Sequence, residues 1–306
     1  MKPDVVKNVL KICSSFLVLG LFLYLVGLER FMAAFSKLDV SQFLIAFVLT
    51  SLVSISQSLR LYTLVSSWVN GVFGLLRIGF VSQFFSNFLP GGFTGDLYKV
   101  YVFRSQNRRR ITESATLVFV DRFAGLISTF FVFGWSIFFI ANMTYTFNRV
   151  YLISFITLSG LFLVAASWQI LPTGIKDRVI EIGVIFRGLS RKQLSSFLTA
   201  NLLVSIFRFI KFYFLAHLIG IDLSIIQSAF LIVAVHLSSI LPLSMGGYGL
   251  LEGAIVIVIV NFGYSVDSGV MLAVLNRVGV WGCSIIGGLD WMQAVLRRNV
   301  FDTGEE

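Results

Sequence analysis

Asn87-Phe88-Leu89-Pro90-Gly91-Gly92-Phe93-Thr94-Gly95-Asp96 interrupts an apolar stretch running from Leu75 to Phe103. Proline removes a helix donor and disfavours helical geometry in the residue before it. Gly91, Gly92 and Gly95 loosen the backbone further. A helix that breaks here and turns back is the simplest reading. Arg104, Arg108, Arg109 and Arg110 follow, the strongest cytoplasmic marker in the chain under the positive-inside rule. With residues 66–74 also inside, the segment enters and leaves from one side. It is then a re-entrant hairpin buried in protein, because lipid cannot satisfy free backbone groups.

Composition agrees with a bilayer setting. Hydrophobic residues make up 57% of the 306 and charged residues 13%, against roughly 25% charged in soluble domains. Val9–Leu28, Phe43–Leu59, Val150–Ile170 and Ala229–Leu243 are apolar over lengths close to the roughly 20 residues that cross a hydrocarbon core as a helix. The runs are continuous rather than alternating, which excludes a β-barrel. The basic N-terminus leads into Val9–Leu28 with no small-residue cleavage site, so that stretch reads as an uncleaved first span. Cys13 and Cys283 both sit in apolar runs and build neither a disulfide framework nor a zinc site. The net charge of +9 lies mostly in short loops, which argues against nucleic-acid binding.

Loop charges thread the rest. The first span leaves the N-terminus inside, and a charge-balanced outer loop (Glu29, Arg30, Lys37, Asp39) leads to a second span near Ser41–Val65. After the hairpin, Thr112–Ile140 crosses outward and Tyr151–Ile170 returns to a basic connector carrying Lys176, Arg178, Arg187, Arg191 and Lys192. Leu194–Ile219 crosses again. A second apolar stretch, Ile225–Phe262, is broken at Leu241-Pro242-Leu243-Ser244-Met245-Gly246-Gly247-Tyr248-Gly249, and Gly269–Val295 ends at Arg297 and Arg298. Of all Lys and Arg, only Arg30, Lys37 and Arg149 fall on the outer side of this arrangement. The expected fold is an all-α polytopic membrane protein with about six transmembrane helices and two broken, re-entrant hairpins. The alternative counts both broken stretches as full crossings, giving eight spans. Both termini are expected to be cytoplasmic, in a cell (plasma or inner) membrane.

The chain reads as a single transmembrane domain, 1–306, whose two halves, approximately 1–145 and 150–298, carry the same features in the same order. Arg60 is answered by Arg208. Pro90 with Gly91-Gly92 is answered by Pro242 with Gly246-Gly247. Gly95-Asp96 is answered by Gly249 and Glu252, and Asp121-Arg122 by Asn276-Arg277. With six spans and two hairpins the halves run oppositely through the membrane, as in transporters built from inverted repeats with broken helices.

A charge at the centre of a bilayer helix costs at least about 2.5–3.5 kcal/mol. Arg60, Asp96, Lys99, Asp121, Arg122, Arg208, Lys211, Glu252 and Arg277 nonetheless lie within spans or hairpins. Asp121 and Arg122 diverge by about 100° on one helix and need partners on other elements. Arg60 and Arg208 suit an anionic headgroup, because a guanidinium binds phosphate bidentately. The half-helix after Gly95 offers free amides and a positive dipole end. Asn87 and Ser244 flank the breaks and can cap exposed backbone groups. His217 and His236 have no metal-ligand spacing, and no nucleotide-binding glycine-rich motif occurs. Neither cofactor nor metal is expected.

The run from Asn87 to Asp96, followed by Asp121-Arg122-Phe123-Ala124-Gly125-Leu126, resembles the lysylphosphatidylglycerol synthase transmembrane region, a flippase-like membrane-protein family. The stretch from Leu241-Pro242 to Gly249, with Glu252, is similar to that family's later glycine-rich signature. In larger members a soluble domain transfers an aminoacyl group from tRNA to phosphatidylglycerol, and the membrane part is held to translocate the product. No such domain is expected after the last span here, so the resemblance implies lipid translocation rather than aminoacyl transfer.

A non-enzymatic lipid translocase is therefore expected, moving a polar or anionic headgroup between the two halves. Its partners would be membrane lipids, phospholipid or polyprenyl-phosphate-linked, with a homo-oligomer or a lipid-synthesis partner open. The alternatives are a membrane transferase acting on lipid-linked sugars, with Asp96 or Asp121 as base, and a non-catalytic subunit of a lipid-synthesis complex. The expected translocation residues are Arg60, Asn87, Pro90, Gly91, Gly92, Gly95, Asp96, Asp121, Arg122, Arg208, Pro242, Ser244, Gly246, Gly247, Glu252, Asn276 and Arg277.

Overall fold

In a computed structural model of the chain, the described residues are 28–69, 71–89, 93–107, 110–140, 190–240 and 247–302. They form nine helices and no strand: α1 (Leu28–Ser36), α2 (Val40–Val65), α3 (Gly71–Phe88), α4 (Thr94–Asn107), α5 (Ile111–Ile140), α6 (Arg191–Leu218), α7 (Ile225–Ile240), α8 (Leu250–Asn261) and α9 (Val266–Asp302). The chain is an all-α membrane protein. Among the described residues, α2, α6 and the Val266–Leu296 part of α9 are long and apolar enough to cross a bilayer. The expected spans Val9–Leu28 (its last residue apart) and Tyr151–Ile170 lie outside the described residues, as does the basic connector except for Arg191 and Lys192, which open α6.

Polar residues set the helix starts. Ser190 Oγ accepts from Gln193 N at 3.2 Å while Gln193 Oε1 accepts from Ser190 N at 3.0 Å. Ser224 and Gln227 repeat that reciprocal pair before α7. Such a box satisfies two amides that the helix itself leaves unpaired. One segment differs from the sequence reading. The charge-balanced stretch after Leu28 is mostly helix α1, with the turn confined to Lys37–Asp39. Ala34 of α1 and Leu38 just after it are buried in the core, which gives that segment a reason to stay wound.

The two broken stretches each give a pair of shorter helices. α3 has 18 residues and α4 14; α7 has 16 and α8 12. At 1.5 Å per residue all four fall below the roughly 30 Å of a hydrocarbon core. Within each pair the helices pack on one another, and each pair also packs across the chain: α3 lies against α9, and α7 against α5. α2 and α6 form the long central contact.

Close helix approach depends on glycines, as in other membrane bundles. A Cβ at Gly287 on α9 would collide with the backbone of Phe80 and Val81 on α3. A Cβ at Gly95 would strike Ser82 and Ser86, so Gly95 seats α4 on α3. The larger core joins α6–α9, with Leu215, Leu231, Ile255, Ile259, Leu272 and Leu275 fully buried. A smaller one joins α2–α5 around Phe103, Leu61 and Leu75. Outward faces carry exposed apolar side chains such as Val48, Leu198, Leu202, Leu289 and Leu296, as a lipid-facing surface requires.

Candidate functional site

Among these helices lies a cavity of about 610 Å³. α2 contributes Arg60 with Ser54, Gln57 and Ser58; α3 contributes Ser82, Gln83 and Ser86. Asp96 and Lys99 come from α4, Asp121 and Arg122 from α5, Arg208 from α6, and His236 and Ser239 from α7. Leu61, Leu75, Val100, Val118 and Phe119 supply apolar wall. Small-molecule sites commonly combine apolar wall with converging polar groups, and here the polar groups are unusually numerous.

Asp121 and Arg122 leave α5 in different directions, as adjacent helical positions must. Asp121 meets Arg60: Nε to Oδ1 is 2.8 Å, with both side chains under a tenth exposed. Arg60 also donates through Nη1 to Asn201 Oδ1 at 2.9 Å, and Asn201 Nδ2 reaches the Ala124 carbonyl at 3.4 Å. This knot ties α2, α5 and α6 together. Arg122 pairs instead with Asp96, which also has Lys99 Nζ at 3.6 Å. The Arg122 guanidinium lies over the Phe93 ring, 4.6 Å from its centroid.

The same arrangement occurs a second time, away from the cavity. Arg277 of α9 pairs with Glu252 in the first turn of α8. Its guanidinium lies 4.3 Å from the Tyr248 ring centroid. Gly249, at φ 80°, presents its N–H to Glu252 Oε2 at 2.7 Å, and Tyr248 Oη accepts from Trp281 Nε1 at 2.7 Å. In both clasps an acid follows a helix break, an arginine from the next helix grips it, and an aromatic ring just after the break backs the arginine. They differ in exposure. The Arg122 side chain is 35% exposed and lines the cavity, whereas that of Arg277 is 5% exposed.

Arg208 stands apart from every other cavity arginine. Among the described residues it has neither an ion pair nor a hydrogen bond. Asn276, which answers Asp121 in the sequence order, is 2% exposed, and among the described residues its Oδ1 has no hydrogen-bond partner. Among the described residues, then, Arg60 is hydrogen-bonded to the Asp121 carboxylate and Arg208 makes no such bond, although the Asp121 charge still acts on it.

The structure brings Arg60, Asp96, Asp121, Arg122 and Arg208 to one cavity, with Gly95 packed directly behind its Ser82 and Ser86 wall. Gly247, Glu252, Asn276 and Arg277 are not among its lining; the Gly247 carbonyl accepts from Arg277 at 3.4 Å. Asn87 bonds the Gln83 carbonyl and Ser284 Oγ, each at 2.9 Å, and so tethers α3 to α9. Pro90, Gly91, Gly92, Pro242, Ser244 and Gly246 lie outside the described residues. Sequence reasoning passed over Asn201, Gln57 and the two aromatics. Asn201 carried a signal, since it sits seven residues, two helical turns, before Arg208 in a largely apolar run. Among the described residues no cluster of His, Cys, Asp and Glu is placed to hold a metal ion.

No curated protein and no solved structure matches the chain. The family model of the lysylphosphatidylglycerol synthase transmembrane region matches residues 8–287, a stretch that takes in the whole cavity and both clasps. The chain belongs to that family.

Proposed function

We propose that this member of a lipid-handling membrane family is a lipid translocase, passing a polar or anionic headgroup through the cavity while the acyl chains stay in the bilayer. The observation that carries the reading is the charged cavity itself: among the described residues, Arg60, Lys99, Arg122 and Arg208 face two carboxylates, Asp96 and Asp121, inside an apolar helix bundle. Charges so placed are costly unless they serve a substrate or one another.

The two halves, 1–145 and 150–298, act in this reading as inverted repeats, with α3–α4 and α7–α8 as re-entrant hairpins. Their short helices support it, as does the exchange in which the first arm of each hairpin packs on the long helix that closes the opposite half. Alternating access then follows from the halves exchanging conformations. The Arg60–Asp121–Asn201 knot is the contact that rearranges, because it joins helices of both halves at the cavity wall. The chain itself breaks no covalent bond. It sits in the cell membrane with cytoplasmic termini.

The test is transfer of headgroup-labelled phospholipids across proteoliposomes containing the full chain. Transfer that is lost in Arg60→Ala and Asp121→Asn, with helix content retained, is the expected result. Protein-free rates for every lipid class would overturn the reading.

A further inference from the structure

The walls of the cavity specify more than polarity. Counted among its described lining side chains, cations exceed carboxylates by two: Arg60, Lys99, Arg122 and Arg208 against Asp96 and Asp121. The carboxylates are already engaged, Asp121 by Arg60 and Asp96 by Arg122 and Lys99. Arg208 is left without an ion pair or hydrogen bond among the described residues. A guanidinium held away from bulk water without a counter-ion is unfavourable, and a phosphate oxygen pair matches its planar fork. The neighbouring neutral groups are also uncommitted. Gln57, Ser82 and Ser86 line the same cavity and make no side-chain hydrogen bond among the described residues. Buried polar groups normally find partners, and a set offering both donors and acceptors suits a hydroxyl-bearing group.

We infer that the cavity takes a lipid whose headgroup is a phosphate ester carrying a neutral polyhydroxyl moiety, with Arg208 holding the phosphate and Gln57, Ser82 and Ser86 the hydroxyls. This rests on the translocase reading and narrows it. A headgroup with net positive charge, such as an aminoacylated one, meets four cations whose two available carboxylates are occupied. Such headgroups are rejected by like-charge repulsion. The two arginines differ in how they are held: Arg60 is hydrogen-bonded to Asp121 and Asn201, whereas Arg208 makes no ion pair or hydrogen bond among the described residues, so its donors stay available to a ligand.

Calorimetric binding to the purified full chain in neutral detergent tests the inference. The probes are dihexanoyl phosphatidylglycerol, dihexanoyl phosphatidic acid, dihexanoyl phosphatidylcholine, lysyl-phosphatidylglycerol of the same chain length, and inorganic phosphate. The glycerol headgroup should bind at least tenfold more tightly than the choline and lysyl headgroups, and more tightly than phosphatidic acid. Arg208→Gln should remove at least tenfold of that affinity. Ser82→Ala/Ser86→Ala, which leaves the arginine in place, should abolish the preference over phosphatidic acid. Equal binding of choline and glycerol headgroups, or tighter binding of the lysyl headgroup, overturns the inference. So does inorganic phosphate binding as tightly as the lipid, which would make this a site for the free ion. Selective binding without transfer in vesicles leaves the headgroup class standing and sinks the translocase reading alone.

Discussion

Arg60 and Asp121, 61 residues apart in sequence, meet at 2.8 Å with both side chains almost wholly buried. Removing one partner strands the other as a buried charge, which costs about 3–5 kcal/mol, whereas removing both costs far less. Asp121→Ala should therefore lower stability by that amount, and Arg60→Leu/Asp121→Leu by clearly less than the sum of the two single changes. Unfolding of the purified variants, compared as a double-mutant cycle, measures the difference.

The two clasps should respond unequally. Glu252 and Arg277 are sealed from solvent, while Arg122 is about one-third exposed. Glu252→Ala should cost several kcal/mol of stability and Asp96→Ala about 1–2, since solvent weakens and partly replaces the more open pair. Tyr248→Leu should cost about 1–3 kcal/mol, because it loses both the ring under Arg277 and the acceptor for Trp281. Thermal unfolding of the three variants ranks them, and an Asp96→Ala loss as large as that of Glu252→Ala would contradict the ranking.

Gly287 and Gly74 provide a matched pair. A side chain at Gly287 runs into the backbone of Phe80 and Val81, while the space beside Gly74 is open. Gly287→Leu should separate α9 from α3 and cost several kcal/mol. Gly74→Ala should be neutral or stabilising by about 0.5–1 kcal/mol, through lower entropy of the unfolded chain. Expression level and melting temperature of the two variants suffice to distinguish them.

Orientation is open to a direct check. In a Cys13→Ser/Cys283→Ala background, Ser105→Cys should react with a membrane-impermeant thiol reagent only from the cytoplasmic side, and Ser265→Cys only from the opposite side. Labelling of both from one side would rule out halves that run in opposite directions.

Much of this was legible in the sequence because membrane helices announce themselves by unbroken apolarity and their ends by charge. The starts of α2, α5 and α7 fall within a residue of where composition puts them. The need of Asp121 and Arg122 for separate partners followed from helical geometry alone. Which arginine meets which acid did not, since Arg60 could equally have gone to Asp96. The choice is made by how α2, α4, α5 and α6 converge, and pairing over 61 residues leaves no local trace. Asn201 was hidden for the same reason: an amide amid leucines gains meaning only when Arg60 points at it. Glu252 and Arg277 look like cavity residues in the sequence because their order copies that of Asp96 and Arg122. Helix packing instead closes them into a sealed pair.

Asn276 has one further implication. Under the two-half reading the protein descends from a duplicated segment, and the codons for aspartate and asparagine differ by a single base. One point mutation in one copy is then enough to separate a position that carries a carboxylate, Asp121 beside Arg60, from one that carries an amide, the buried Asn276. The reverse change, Asn276→Asp, lies equally close, so a second buried carboxylate is a single base away.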